Sequence, residues 1–148
     1  MGILDEDVAR VGLPIAVLLS NRFHSRSAAA IVQRYGAART TLWGDPEIWS
    51  ALPHLRGREL RDEEGPGGVR AFPIDGLDPG ETAFHLPPHR ALVFADAVLG
   101  VGGGTLRLAP ESWATDTPEG KARYREAFRA SLRRLTSLAI DAVLPSHG

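Results

Sequence analysis

No cysteine occurs among the 148 residues, which excludes a disulfide framework, a thiolate metal site and a thiol nucleophile. Long apolar runs are missing as well. Ile15–Leu19 is far too short to cross a bilayer, and the opening MGILDEDVAR has neither the basic start nor the apolar core of a secretory signal. The cytoplasm is therefore the expected location, with no membrane partner. An excess of either charge sign is also lacking, since 17 basic residues face 18 acidic ones for a net charge of -1. No global field draws the chain to nucleic acid, and none is expected as a partner. Lysine is nearly absent. Only Lys121 breaks a basic set made otherwise of arginine, a skew that fits the coding bias of a GC-rich bacterium and carries no functional information.

What is present is ordinary for a globular chain: 43% hydrophobic and 24% charged residues, enough for one domain over residues 1–148 with a real core. The organising stretch is Pro14 to Arg34. Ile15–Leu19 reads as a strand covered on both faces, and Ser20-Asn21 ends it at its carboxyl edge. Ala28, Ile31, Val32 and Tyr35 then return at helical spacing, with Ser25 or Ser27 as N-cap and Gly36 as the stop. Asn21, Arg22, His24, Ser25 and Arg26 are thereby displayed at a sheet mouth.

Elsewhere, Ile3–Val11 is expected as a short amphipathic helix with Leu4, Val8 and Val11 on one side. Ala38–Trp43 reads as a strand, followed by a helical turn capped by Asp45 with Pro46 at its first position. Trp43, Ile48, Trp49 and Leu52 are expected to cluster. Arg58–Asp75 reads as a hairpin about Gly65-Pro66-Gly67-Gly68. Thr82–Leu86 and Ala91–Ala95 are further strands, and Thr105–Leu108 is a short edge. Thr117-Pro118-Glu119 starts a long helix whose Tyr124, Phe128, Leu132, Leu135 and Leu138 face the core. Ala142–Leu144 is expected as a final buried strand leading to His147. Strands interleaved with helices, and consecutive strands in the middle, predict a layered α/β domain with a mixed sheet.

LLSNRFHSRSA resembles the strand and T-H-x-H-x-D-H motif of the metallo-β-lactamase-like superfamily. Ser20 takes the Thr position, and Asn21, Phe23, Ser25 and Arg26 stand for the first His, second His, Asp and third His, with His24 between ligand positions. LVFADAV places Asp96 where that family has its metal-bridging Asp, and LPSHG places His147 at its last metal-binding His. DGLDPGETAF resembles T-P-G-H-T-P-G-S, with Leu77 in place of its His. The resemblance implies a member that has lost most metal ligands, keeping two of seven, and leads to the expectation of only the second half of the αββα sandwich, with the family's first sheet absent ahead of Met1.

A catalytic zinc requires at least three protein ligands. Asp75, Asp78, His24, His85 and His89 are the remaining donors in reach of the motifs, but Phe23 and Leu77 put apolar groups where nitrogen belongs. Arg26 puts a cation there, expected to pair with Asp96 in place of a metal charge. The favoured expectation is a non-catalytic, small-ligand-binding pocket of Asn21, Arg22, His24, Arg26, Asp96 and His147, without a cofactor. The alternative is a hydrolase with one weakly held zinc at Asp96 and His147, and a third donor converging on that pair is what divides the two. Asp96 has a plainer reading too, as a cap for loop amides after its strand. Ser20 or Ser146 with His147 and Asp96 lacks a nucleophile elbow. Gly100-Val101-Gly102-Gly103-Gly104-Thr105 lacks the ending of a phosphate loop and reads as a loop beside the pocket. The stripe Arg125, Arg129, Arg133 reads as a solvated helix face. Without the first sheet, an inner face of Val17, Leu19, Phe72, Ile74, Phe84, Val93 and Val143 is expected to be bare and to drive homodimer formation.

Overall fold

The computed structural model describes residues 3–147, without the side chains of Ile3 and Leu4, so the expected packing of Leu4 lies outside the described residues. The first helix, α1 (Ile3–Val11), ends close to the sequence expectation, but Val11 is 53% exposed. It is held to the next helix by polar contacts instead. Asp5 accepts from Arg34 and from the Tyr35 hydroxyl at 2.7 Å, and Arg39 Nη2 donates to the Val8 carbonyl at 2.8 Å.

Strand β1 (Ile15–Leu19) is followed by a 3-10 turn over Arg22–Ser25 and helix α2 (Ala28–Tyr35). Ser27 takes the N-cap position of α2 as expected, but the side-chain capping of this region comes from Asn21. Asn21 caps the 3-10 turn, its side-chain oxygen accepting from the Phe23 and His24 amides, whereas Ser27 makes no side-chain cap bond. Strand β2 (Thr40–Gly44) leads to α3 (Pro46–Ala51), which Asp45 caps at the Glu47 amide as expected. A two-residue β3 (Arg58–Glu59) completes a parallel sheet in the order β1-β2-β3.

The second sheet is mixed, in the order β4-β5-β6-β9, from β4 (Arg70–Ile74), β5 (Glu81–Leu86), β6 (Ala91–Phe94) and β9 (Ala142–Pro145). The expected hairpin over 58–75 is therefore only a local reversal. Gly65–Gly68 turns the chain and Glu64 bridges Arg70, yet β3 joins the first sheet and β4 the second. Strands β7 (Val98–Gly100) and β8 (Leu106–Leu108) form a separate hairpin, and Gly102, Gly103 and Gly104 all take positive φ in its turn. The glycine run is thus a hairpin turn that lines no part of the cavity described below.

The final helical rod runs α4 (Pro118–Arg123), a π-helical turn over Tyr124–Phe128, and α5 (Arg129–Leu135). Thr117 Oγ1 accepts from the Gly120 amide at 3.0 Å. Thr117→Ala is expected to lower stability by about 1 kcal/mol, read as a shift in the urea midpoint with unchanged slope.

Period-2 alternation in the strands sorts the apolar side chains into three clusters that separate four layers. Leu19, Leu42 and Val17 pack with Ala28, Val32, Ile48, Trp49 and Leu52, between the parallel sheet and helices α2 and α3. Leu18 and Trp43 point the other way and meet Leu60, Ala71, Phe84 and Val93, between the two sheets. Phe72, Ile74, Ala83, Leu92 and Phe94 meet Phe128 and Leu135, between the mixed sheet and the final helix. Two expectations change accordingly. Trp43 leaves the cluster of Ile48, Trp49 and Leu52 because it is one residue out of phase with Leu42. The seven residues expected to form one bare face are divided among all three clusters, and β1 and β2 cover the mixed sheet. Strand β9 is not buried either: it lies at the sheet edge and Leu144 is 51% exposed. Among the described residues no helix is long and apolar enough to cross a membrane.

Candidate metal centre

Three strand ends build the site. In the parallel β6–β9 pair, Phe94 lies opposite Pro145, so Asp96 and His147, each two residues further on, emerge side by side. The two ends are tied together, since Ser146 donates its amide to the Phe94 carbonyl at 3.0 Å and its hydroxyl to the Ala95 carbonyl at 2.8 Å. That structural use leaves Ser146 no role as a nucleophile. The end of β1 is brought alongside by the Thr82 amide, which donates to the Ser20 carbonyl at 2.7 Å across the two sheets.

From β1 the chain enters its 3-10 turn, and the turn delivers His24. Its backbone departs from helical geometry (φ -91, ψ 33), and its Nε2 lies 3.2 Å from Asp96. His147 Nε2 lies 3.2 Å from Asp96 Oδ1 on the other side. The two imidazoles meet edge to face with centroids 5.3 Å apart. Asn21, 2% exposed, completes the cluster from below, donating from Nδ2 to Asp96 Oδ2 at 2.8 Å while its oxygen holds the Phe23 and His24 amides.

Asp96 is fixed a second time through its backbone. Glu81, 4% exposed at the start of β5, accepts the amides of Ala95 (3.2 Å), Asp96 (2.6 Å) and Ala97 (2.7 Å). Burial pushes the Glu81 carboxyl up to about 7, with the three amide donors opposing that shift. The capping of loop amides expected of Asp96 is thus the work of Glu81, and the Asp96 carboxylate is left for the cluster.

The six expected pocket residues separate into distinct places. His24, Arg26, Asp96 and His147 line one cavity of about 570 Å³, with Phe23, Leu77, Asp78, Pro79 and the 112–116 loop. Asn21 lies beneath it. Arg22 faces a neighbouring cleft of about 220 Å³ and pairs with Asp78 at 3.5 Å. The expected Arg26–Asp96 ion pair is not formed: among the described residues the side-chain partners of Asp96 are Asn21, His24 and His147. Of the other donors, Asp75 and Asp78 face the smaller cleft and neither joins the cluster, nor do His85 and His89. His85 is buried with neither ring nitrogen bonded. Sequence reading passed over Glu81 and Trp113. A charged residue directly ahead of the apolar run Thr82–Phe84 was the available signal for the first; nothing in the sequence marked the second.

The third donor that divides the two expectations is therefore present, and it is His24. Donor atoms of His24, Asp96 and His147 all lie within 4.8 Å of one another. A tetrahedral ion bound at about 2.0–2.2 Å has ligand atoms separated by about 3.4 Å, close to the 3.2 Å found between each imidazole nitrogen and the carboxylate. Two imidazoles and a carboxylate are a donor set suited to zinc or ferrous iron, with positions left for water or substrate. The residues present fit one divalent ion. Among the described residues no second group of three such donors converges, and Phe23 and Leu77 line the same cavity.

No protein-family description matches the chain, and no curated protein matches it in sequence. Solved structures do match in fold. A beta-lactamase domain protein from Burkholderia ambifaria superposes with a TM-score of 0.65 at 22% identity, covering 97% of this chain and 52% of that one. TTHA1623 in a di-iron-bound form superposes with a TM-score of 0.63 at 22% identity, covering 98% of this chain and 76% of that one. The chain has the metallo-β-lactamase-like fold, as its motifs implied, and spans about half the length of the first of these structures.

Proposed function

We propose that this domain holds one divalent metal ion at His24, Asp96 and His147 and serves as a metal-dependent hydrolase acting in the adjoining cavity. The observation that carries the reading is the convergence of three donors on one point at the carboxyl ends of β1, β6 and β9, the edge at which open α/β sheets place their ligands. A bound divalent ion there supplies Lewis acidity and a water acidified towards neutral pH. The chain's own residues do the rest. Asn21 orients the Asp96 carboxylate, Glu81 fixes the loop that carries it, and Phe23, Leu77 and Trp113 give the cavity apolar walls that exclude water around a bound molecule. Placement of His24 between the ligand positions of the resembling motif makes this a one-metal variant of the two-metal arrangement.

The test is metal analysis and calorimetric titration of purified protein with zinc and, anaerobically, ferrous iron. One ion per chain is expected, with a gain of about 2.7 kcal/mol in stability at a hundred times the dissociation constant. A protein that takes up neither ion, and whose melting temperature neither ion raises, would end the metal reading. The second reading, a metal-free pocket that only binds a small molecule, is favoured by Phe23 and Leu77 standing where the resembling family has imidazoles. That outcome of the titration would leave it standing.

A further inference from the structure

The cavity walls carry an uncompensated charge and two exposed aromatic rings. Three carboxylates face the cavity, and each is already engaged. Asp78 pairs with Arg22 at 3.5 Å and accepts from Thr115 Oγ1 at 3.4 Å. Asp116 pairs with Lys121 at 2.8 Å. Asp96 is taken by Asn21 and the two histidines. Arg26, exposed in the same wall, has no carboxylate within ion-pair distance among the described residues. The charge left over is therefore a planar, permanently protonated guanidinium, whose fork of donors matches the oxygens of a carboxylate or phosphate.

The apolar part of the wall is equally unusual. Phe23 is 58% exposed and Trp113 is 42% exposed, although aromatic rings of this size gain most by burial. Arg22 lies over the Phe23 ring at 5.0 Å, and the Asp78 amide donates to the Trp113 carbonyl at 3.0 Å, tying the two loops of the cavity rim together. Leu77 and Pro79 continue the apolar surface. Exposed rings beside a lone cation match a ligand with a flat apolar body and an anionic group.

We propose that the cavity takes an amphipathic anion, a molecule whose aryl or similarly flat body lies against Phe23 and Trp113 and whose carboxylate or phosphoryl group is held by Arg26. This rests on the reading of the cavity as the substrate site of the His24–Asp96–His147 cluster, and names the class of molecule delivered there. Arg26 is then a specificity residue: it selects the anion and places the rest of the molecule against the rings and the cluster.

Calorimetric titration of metal-free and zinc-supplied protein with 4-phenylbutyrate, phenylphosphonate, 4-phenylbutanol and butyrate tests this. At least one of the two aryl anions is expected to bind ten times or more tighter than both the neutral aryl alcohol and the ringless acid, and the better of the two tells carboxylate from phosphoryl recognition. Arg26→Gln is expected to weaken the aryl anion about tenfold and leave the alcohol unchanged, with partial recovery in Arg26→Lys. Trp113→Ala is expected to weaken both aryl compounds. Arg26 is exposed, and equal melting temperatures of the wild type and Arg26→Gln establish that folding is intact. Equal affinities for aryl anion and alcohol, an unchanged ratio in Arg26→Gln, butyrate binding as well as 4-phenylbutyrate, or no binding of any of the four would each overturn the proposal. The metal reading stands or falls separately: selectivity for the aryl anion without uptake of zinc or ferrous iron defeats only that reading, and uptake of either ion without selectivity defeats only this one.

Discussion

His24→Ala should lose divalent-metal binding almost entirely while the apo protein still folds. Removal of one of three ligands leaves two donors, below the number any closed or catalytic zinc site uses. The loss should therefore exceed the 10–100-fold typical of removing a residue that merely orients a ligand. The His24 side chain is 28% exposed and contacts Asp96 and the His147 ring, so the variant also loses packing, and its metal affinity is read beside its own apo stability. Asn21→Ala should behave differently. Asn21 touches no expected metal position, yet it orients Asp96 and caps the turn that carries His24. A drop of about 10–100-fold in metal affinity is expected, together with about 1 kcal/mol or more of stability from the lost cap. Paired calorimetry and urea unfolding of the two variants check this. Wild-type metal affinity in His24→Ala would remove the imidazole from the centre.

Glu81→Gln should change how stability depends on pH. A carboxyl raised from its ordinary 4.5 to about 7 by burial binds more protons in the folded than in the unfolded chain between those values. Its contribution is then fully present below about pH 4.5 and is lost as pH rises through about 7. The shift corresponds to about 3 kcal/mol. The wild type should therefore lose about that much stability relative to Glu81→Gln between pH 4.5 and 8. The variant has its own cost at every pH: one side-chain oxygen becomes a carboxamide NH2 facing a loop N–H, which leaves buried donors opposed, at about 1–3 kcal/mol. Urea unfolding at half-unit pH steps is the measurement, and parallel curves for the two proteins would contradict the role of burial at Glu81.

The two variants also separate two ways of holding Asp96. Asn21 and the histidines act on its carboxylate, whereas Glu81 acts on its backbone through three consecutive amides. Three amides converging on one carboxyl hold the loop that presents Asp96. A loop fixed in this way needs no induced movement to present its carboxylate, and preorganised ligands of this sort raise both affinity and catalytic efficiency.

Local features were legible in the sequence because their causes are local. The apolar runs at Ile15–Leu19 and Ala91–Phe94, the caps Asp45 and Thr117, the stop at Gly36 and the core stripe Phe128, Leu132, Leu135 each follow from spacing, backbone freedom or an orphan amide within a few residues. Asp96 and His147 were legible for a related reason: each follows its strand by a fixed offset, and motif order carried the match. The tertiary structure alone decided the rest. His24 joins the centre because a 3-10 turn, which has no apolar period to read, rotates its side chain towards a strand end 72 residues away. Glu81 clamps a loop on the neighbouring strand, and Trp113 enters the cavity wall from a turn beyond the β7–β8 hairpin. Trp43 and the seven residues expected on one bare face were assigned wrongly because strand alternation gives two faces, and only sheet-on-sheet packing decides what covers each. Contacts between strand ends depend on register and layering, which distant segments set jointly and no single stretch encodes.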